Sequence, residues 1–210
     1  MAHRSAVDFL VLHALELKGF AEPDAIAELT ALPVAVIERQ LDVARRAGHA
    51  QRREGRVSGW ALTALGRTRH AALLGPDLDA SGGREVAADV YPEFSNLNAR
   101  FQQVSTDWQL RVVGGNYQPN RHDDRSHDRS VVAALRRVDD RVQPLCQTLA
   151  GVLARMSPYG RRLSAALTRV EGGDRDGFTR PLANSYRDVW VELEGDLAAT
   201  TTAARSSVTV

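Results

Sequence analysis

Arginines are concentrated in one part of a chain that carries almost no net charge. Overall, 27 Lys and Arg residues face 26 Asp and Glu residues, which leaves a formal net charge of +1. Between residues 36 and 70, eight arginines face three acidic residues, a local net charge of 8 − 3 = +5. The arginines are Arg39, Arg45, Arg46, Arg52, Arg53, Arg56, Arg67 and Arg69, and the acids are Glu38, Asp42 and Glu54. Because contact with the phosphates of a nucleic acid requires clustered positive charge, this segment is the first candidate for a binding surface.

Helical spacing separates charged from apolar residues in the first half of this segment. Residues 33–47 predict a helix, with Gly48 just beyond its end. Its inward side consists of Ile37, Leu41, Ala44 and Gly48. Its outward side consists of Ala35, Arg39, Asp42 and Arg46. At 100° per residue these two sets lie on opposite faces, so the two outward arginines are predicted to reach solvent.

The predicted elements around this helix follow the order helix, helix-turn-helix, hairpin, helix. An apolar run at residues 5–18 predicts a first helix, buried on several faces, that ends at Gly19, and Pro23 suits the first turn of a second helix. Two short strands, HAQRR and VSGWAL, flank the turn EGR, and Thr63 can cap the helix that follows. This order predicts a winged helix-turn-helix over residues 1–75.

The segment AIAELTALPVAVIERQLDVARRAGHAQRREGRVSGWALTALGR resembles the DNA-binding domain of the MarR-like transcriptional regulators. The resemblance spans roughly residues 5–75. It implies a homodimer that binds double-stranded DNA, with the third helix in the major groove and the wing on the backbone or in the minor groove. The residues expected to contact DNA are Arg39, Arg46, Arg52, Arg53 and Arg56. The region that follows is longer than in that family.

Two observations favour a different reading of the same surface. Glu38 and Asp42 lie on or beside the outward face and would repel phosphates, and Arg39 could pair with either acid. Winged helices also serve as protein-interaction modules that do not contact DNA. In addition, the region NLNARF…TDWQLR resembles helical segments of actinobacterial regulators and of proteins linked to phosphoenolpyruvate-utilising enzymes. The alternative is therefore an accessory module that binds a protein partner, such as an enzyme of that class.

The second half of the chain predicts helices packed in a bundle. Residues 75–83, GPDLDASGG, predict a linker, and two apolar stripes follow, in which successive members are three or four residues apart. The first stripe is Val86, Val90, Phe94, Leu97, Phe101, Val104 and Trp108. The second is Val131, Leu135, Val138, Val142, Leu145, Leu149, Val152 and Met156. The intervening VGGNYQPNRHDDRSHD is expected to be a polar loop. The predicted fold is mostly α, with a winged helix-turn-helix at residues 1–75 and an antiparallel helical bundle at residues 84–200.

Aromatic residues on these stripes could line a pocket for a small-molecule effector. The candidates are Phe101, Trp108, Arg111 and Trp190, with Arg111 suited to an anionic ligand. Core packing of the rings is the competing interpretation. Likewise, Asp107 and Arg111 are four residues apart and could form an ordinary salt bridge along a helix.

Other chemistry has little support in the sequence. There is no nucleophile elbow, P-loop or GxGxxG motif, so we expect no enzyme activity and no cofactor. His and Asp residues in RHDDRSHD can ligate metals, but their spacing favours a solvated loop, and no metal is predicted. Cys146 is the single cysteine and is expected to be a small buried side chain. Because a single cysteine excludes an internal disulfide framework, a cytoplasmic protein is expected. The apolar N-terminal run is too short to span a membrane. The sequence thus predicts a dimeric, ligand-responsive DNA-binding regulator of transcription.

Overall fold

The computed structural model describes residues 1–55 and 58–205, and it is mostly helical with two small antiparallel hairpins. The first six elements are α1 (Val7–Lys18), α2 (Pro23–Thr30), α3 (Val34–Arg46), β1 (Ala50–Arg53), β2 (Gly59–Leu62) and α4 (Ala64–Ser81). They occur in the order that the sequence predicts. None of the described helices is both long and apolar enough to cross a membrane.

Local sequence signals explain where these helices begin and end. Gly19 follows α1 with a positive φ of 68°, a conformation that costs glycine little. Pro23 opens α2, where its missing N–H has no intrahelical partner to lose. The Thr63 hydroxyl accepts the backbone N–H of Gly66 at 3.0 Å, which confirms the predicted cap of α4.

The linker predicted at residues 75–83 is wrong, because α4 continues to Ser81. Pro76 lies inside this helix, where a proline removes one backbone donor. Leu74 and Leu78 flank that position and are both buried, so apolar packing offsets the lost hydrogen bond. The helix stops only at Gly82, whose φ is +65°.

The remaining helices contain the predicted apolar stripes. They are α5 (Gly83–Gln109), α6 (Arg125–Val152), α7 (Ser157–Glu171), α8 (Asp176–Thr179) and α9 (Tyr186–Arg205), with a 3-10 turn at Ala154–Met156. All stripe residues are buried except Val86 and Val152, which are partly exposed. The helical spacing therefore identified the inward faces of α5 and α6 correctly.

A second hairpin replaces part of the predicted polar loop. Strand β3 (Leu110–Val113) pairs with β4 (Asn116–Pro119), and Val112 lies opposite Tyr117. The turn is Gly114-Gly115, with φ values of 58° and 82°. Positive φ at both central residues is the geometry of a two-residue hairpin turn, and two glycines adopt it without strain. The expectation that this whole stretch is a polar loop is therefore wrong.

The chain divides into two compact units. Unit 1 contains Met1–Ala88, Thr148–Tyr159 and the segment from Glu192 onward. Unit 2 contains Asp89–Gln147 and Gly160–Val191. Each unit is assembled from segments that are distant in the sequence.

Candidate functional site

The outward face of α3 has the composition that its helical spacing predicts. Ile37, Leu41 and Ala44 are buried. Ala35, Arg39, Asp42 and Arg46 are exposed. A charged face of one helix is therefore open to solvent, and its apolar face packs into unit 1.

Arg39 and Arg46 are held in the same way. The Nε of Arg39 donates to the Ala35 carbonyl oxygen at 3.2 Å, and the Nε of Arg46 donates to the Asp42 carbonyl oxygen at 3.3 Å. Each bond ties the guanidinium to the helix one turn earlier and leaves its two terminal amino groups unused. Neither arginine has an ion-pair partner among the residues that the structure describes. The pairing of Arg39 with Glu38 or Asp42 that the sequence allowed is therefore not formed.

The acids near this face are neutralised unequally. Asp42 lies 3.3 Å from Arg45, its neighbour three residues along the helix, and both side chains are 55% exposed. Glu38 is exposed. A solvent-exposed pair such as Asp42–Arg45 contributes at most about 1 kcal/mol, so Arg45 can leave Asp42 at small cost.

The arginines of the first hairpin differ from one another. Arg52 pairs with Glu22 at 3.3 Å and lies 3.9 Å from Glu54. Arg53 is exposed at the end of β1. The predicted contact at Arg56 lies outside the described residues. The side chain of Arg53 is therefore open to solvent, whereas the guanidinium group of Arg52 is held by the carboxylate of Glu22.

Backbone contacts fix this hairpin against the helices. Ala21, between α1 and α2, exchanges two hydrogen bonds with Trp60 of β2, at 2.9 and 2.8 Å. Thr63 donates to the Gly48 carbonyl oxygen at 2.6 Å. A Cβ added to Gly66 would lie 1.9 Å from the His49 carbonyl oxygen, so only glycine fits there. Sequence reasoning missed Ala21 and Gly66 because nothing in their immediate neighbours indicates these long-range contacts.

Among the described residues of the same region, two large apolar side chains are exposed and were also missed. Val43 on α3 is 50% exposed, and Leu65 at the start of α4 is 55% exposed. Val43 lies four residues after Arg39, so the two side chains are neighbours on one face of α3. Counting all outward positions of the helix, including the apolar ones, would have found Val43.

Three of the four residues predicted to line an effector pocket are core side chains of unit 2. Phe101 stacks on Trp190 with ring centroids 4.5 Å apart, and the indole Nε1 of Trp190 donates to Asn98 at 2.9 Å. Trp108 contacts Phe178, with centroids 5.1 Å apart. All three predicted aromatic residues are buried. The role of these rings in binding an effector stays a prediction.

Arg111, the fourth, does not form the helical salt bridge that its spacing with Asp107 allowed. Helix α5 ends at Gln109, so Arg111 lies on β3, where its side chain pairs with Asp123 at 3.0 Å. Asp107 instead accepts the side-chain amide of Gln103 at 2.8 Å. Arg111 does line an open concavity of about 600 Å³ beside the second hairpin.

The His and Asp residues after this hairpin hold the chain in place. Asn120 and His122 both lie 3.0 Å from a carboxylate oxygen of Asp128, and the His122 ring packs on Trp108. Asp124 accepts two backbone N–H groups at the start of α6, and these bonds lower the pKa of its carboxyl. Among residues 1–55 and 58–205, no group of three such side chains is arranged to hold a metal ion.

A buried polar cluster in unit 1 was not anticipated. Asp196 on α9 lies 3.0 Å from the Nε2 of His13 on α1, although the ring N–H approaches the oxygen obliquely. The other ring nitrogen of His13 lies 2.8 Å from His70 on α4. Asp196 also accepts bonds from Arg155 at 3.2 Å and from the Tyr159 hydroxyl at 3.2 Å. The cluster therefore connects α1 and α4 with the end of the chain.

Burial and neighbouring charges together set the protonation of this cluster. Burial, reinforced by the nearby charge of His13, lowers the pKa of His70 to about 4, so that ring is neutral at pH 7. Burial alone would raise the pKa of Asp196, but Arg155 and His13 outweigh it and hold that pKa well below its usual range. Arg155 contacts a second acid, Asp77, at 3.3 Å. The cluster is thus built around an ionised pair that is closed to water.

Cys146 is buried, as its position beside an apolar stripe predicts. Burial raises the pKa of its thiol to about 12, and the charge of Asp139 adds to this effect. The thiolate that redox sensing requires is therefore absent at neutral pH.

Comparison with protein-family models, with curated proteins and with solved structures finds no match to this chain.

Proposed function

We propose that residues 1–81 form a winged helix-turn-helix that binds double-stranded DNA, and that the protein is a cytoplasmic regulator of transcription. The observation that carries the proposal is the outward face of α3, where Arg39 and Arg46 are exposed and no acid among the described residues pairs with either guanidinium group. An α-helix fits the major groove, and Arg can donate two parallel bonds to the O6 and N7 of guanine. The element order around α3 supports the same assignment.

The side chains of this face divide into two roles. Arg39 and Val43 lie on the outward face of α3, so Arg39 would read a guanine, and Val43 would contact a thymine methyl group. Arg46, about two turns beyond Arg39 and at the end of α3, would bind a phosphate. Arg52, Arg53 and Arg56 would bind the backbone or the minor groove as the wing. Phosphate contacts position the protein, and base contacts select the sequence.

Dimerisation and effector binding belong to the same proposal. A dimer would place two α3 helices on two half-sites about one turn of DNA apart. An effector would alter DNA binding only if it favoured one spacing of these helices over another. Because residues from Glu192 onward belong to unit 1, dimerisation has to be tested on the whole chain. Light scattering should give twice the monomer mass, and a monomer at all concentrations tested would remove the dimer from the proposal.

The decisive experiment is fluorescence anisotropy with the DNA upstream of the protein's own gene and a scrambled duplex of equal length. We expect a preference of about 10³-fold or more for the upstream DNA. Arg39→Ala should weaken that binding by about tenfold or more. The matched control is Arg129→Ala, since Arg129 is also exposed and also donates its Nε to the carbonyl oxygen four residues earlier, at 3.2 Å, but lies on α6.

Each result has a distinct meaning. Equal affinity for both duplexes, lost steeply with salt, would indicate general attraction to phosphate and contradict specific regulation. Equal losses in Arg39→Ala and Arg129→Ala would show that α3 is not the contact surface. If no DNA binds even at low salt, the second candidate function gains support: an accessory module that docks on a protein, such as a phosphoenolpyruvate-utilising enzyme. The exposed Val43 and Leu65 favour that alternative, because apolar side chains enter protein interfaces.

A further inference from the structure

The concavity beside the second hairpin combines apolar walls with unbalanced negative charge. Its volume is about 600 Å³, which is within the range of small-molecule sites. Val112, Val113 and Tyr117 form much of its wall, and all three are exposed. Tyr117 lies opposite Val112 across the hairpin, so its ring and an aliphatic side chain are adjacent. The site lies entirely within unit 2.

The charges around it are matched to different degrees. Arg111 is neutralised by Asp123, 3.0 Å away. Asp124 accepts two N–H groups at the N-terminus of α6, where the helix dipole is positive. Asp107 has no such compensation, because it lies in the last turn of α5, where the dipole is negative and no basic residue is present. Its one described side-chain partner is the neutral amide of Gln103.

His127 contacts the end of α5 through the backbone of Asp107. Its Nε2 lies 2.8 Å from the Asp107 carbonyl oxygen, so the ring donates to the same helix end. In the part of the chain that the structure describes, no basic side chain pairs with the Asp107 carboxylate, and the exposed ring of Tyr117 lies at the wall of the same concavity. The Asp107 carboxylate and the Tyr117 ring would both stabilise a positive group, because a carboxylate attracts it by charge and the face of an aromatic ring also attracts cations.

We propose that this concavity binds a small organic cation with an apolar body, with its positive group at Asp107 and its body against Val112 and Tyr117. This site is separate from the proposed DNA-binding surface and does not depend on it. It also reverses the expectation from the sequence that Arg111 would attract an anionic ligand. Arg111 is paired with the Asp123 carboxylate, which an anionic ligand would have to displace.

Three probes with the same body and different heads test the charge preference. They are 4-tert-butylbenzylammonium, 4-tert-butylbenzyl alcohol and 4-tert-butylbenzoate, added to the ¹⁵N-labelled full chain and followed by amide chemical shifts. We expect the ammonium to shift the amide signals of residues 107–127 and to bind at least about tenfold more tightly than the benzoate. Tighter binding of the benzoate, equal binding of all three probes, or no shift at millimolar concentration would each overturn the proposal.

Two variants locate the contacts. Asp107→Asn should weaken binding of the ammonium about fivefold to tenfold and leave binding of the alcohol unchanged. Tyr117→Leu should weaken binding of the ammonium about threefold. The charge-matched control is Asp140→Asn, an exposed position on α6 about 20 Å along the helix from His127. If Asp140→Asn weakens the ammonium as much as Asp107→Asn does, the effect is one of overall charge and the site assignment is wrong.

Discussion

Replacing Asp196 by asparagine tests the buried cluster of unit 1 most directly. The carboxylate is 2% exposed, and its partner Arg155 is 3% exposed, with 3.2 Å between the bonded atoms. Removing one member of a buried ion pair costs about 3–5 kcal/mol, because the remaining charge stays away from water. Asparagine keeps one oxygen that can accept from Arg155, and Arg155 keeps Asp77 at 3.3 Å. We therefore expect the lower end of that range, about 3 kcal/mol of unfolding free energy.

A second buried aspartate provides the control. Asp139 in unit 2 accepts bonds from Gln143 at 3.0 Å and Tyr186 at 3.1 Å, and both donors are neutral. Burial raises its pKa, and the nearby acids Asp140 and Glu171 raise it further. Asp139→Asn replaces an unfavourably buried charge with an uncharged amide, so we expect it to lower the free energy of unfolding by less than about 1 kcal/mol.

The assay is equilibrium unfolding in urea at pH 7, followed by far-ultraviolet circular dichroism. The predicted difference in unfolding free energy between the two variants is about 2 kcal/mol. The variants are compared at equal denaturant slope, because a change in slope would indicate an altered unfolded state. In the Asp196→Asn background, Arg155→Met should cost about 2 kcal/mol less than in the unaltered protein, since its partner is already gone. The reasoning is refuted if Asp196→Asn costs no more than Asp139→Asn, or if the two changes at Asp196 and Arg155 are additive.

Three further predictions follow from burial and close contact. Burial holds the pKa of His70 at about 4 in the folded protein, below its ordinary value of 6.5, so the unfolded chain binds more protons between these two values. The free energy of unfolding should therefore fall by at most about 3 kcal/mol as the pH drops from 6.5 to 4. Urea unfolding across this pH range checks the prediction, and His70→Asn should flatten the dependence. Gly66→Ala should lower the free energy of unfolding by about 2 kcal/mol or more, because the new Cβ would lie 1.9 Å from the His49 carbonyl oxygen. In the control Gly75→Ala, on the same helix, the new Cβ meets nothing within 4 Å, so this change should raise the free energy of unfolding by up to about 1 kcal/mol. Thermal melts of the two variants test this prediction, and equal effects would contradict it. Cys146, whose pKa is raised to about 12, should react with iodoacetamide at pH 8 only after unfolding, and rapid labelling of the native protein would show that its burial is wrong.

The parts of the fold that the sequence predicted are those governed by neighbouring residues. The burial pattern of α3, the glycine that ends α1 and the Thr63 cap each depend on residues within about two helical turns. The second hairpin depends on equally local signals, but composition misled the prediction. A polar stretch with glycine, asparagine and proline was interpreted as a loop, although two adjacent glycines between VV and NY also satisfy the rule for a two-residue turn.

The contacts that the sequence could not predict join distant parts of the chain. His13 and His70 are separated by 57 residues, and no spacing rule brings them together. Arg111 shows the same limit over a short range, because four-residue spacing predicts a salt bridge only if the helix continues, and α5 ends first. Assignment of Arg39 and Arg46 to an open surface required only helical periodicity, whereas the pairing of Arg52 with Glu22 required the fold.

The closing of unit 1 by α9 has a consequence for biosynthesis. Translation proceeds at about 5–20 residues per second, so roughly 10–40 s separate the synthesis of His13 from that of its partner Asp196. During that interval α1 exists without the carboxylate that faces His13. The N-terminal elements therefore cannot complete their packing as they leave the ribosome, and their final folding step waits for the last helix. A nascent chain arrested before α9 would display an unfinished first unit to chaperones and proteases.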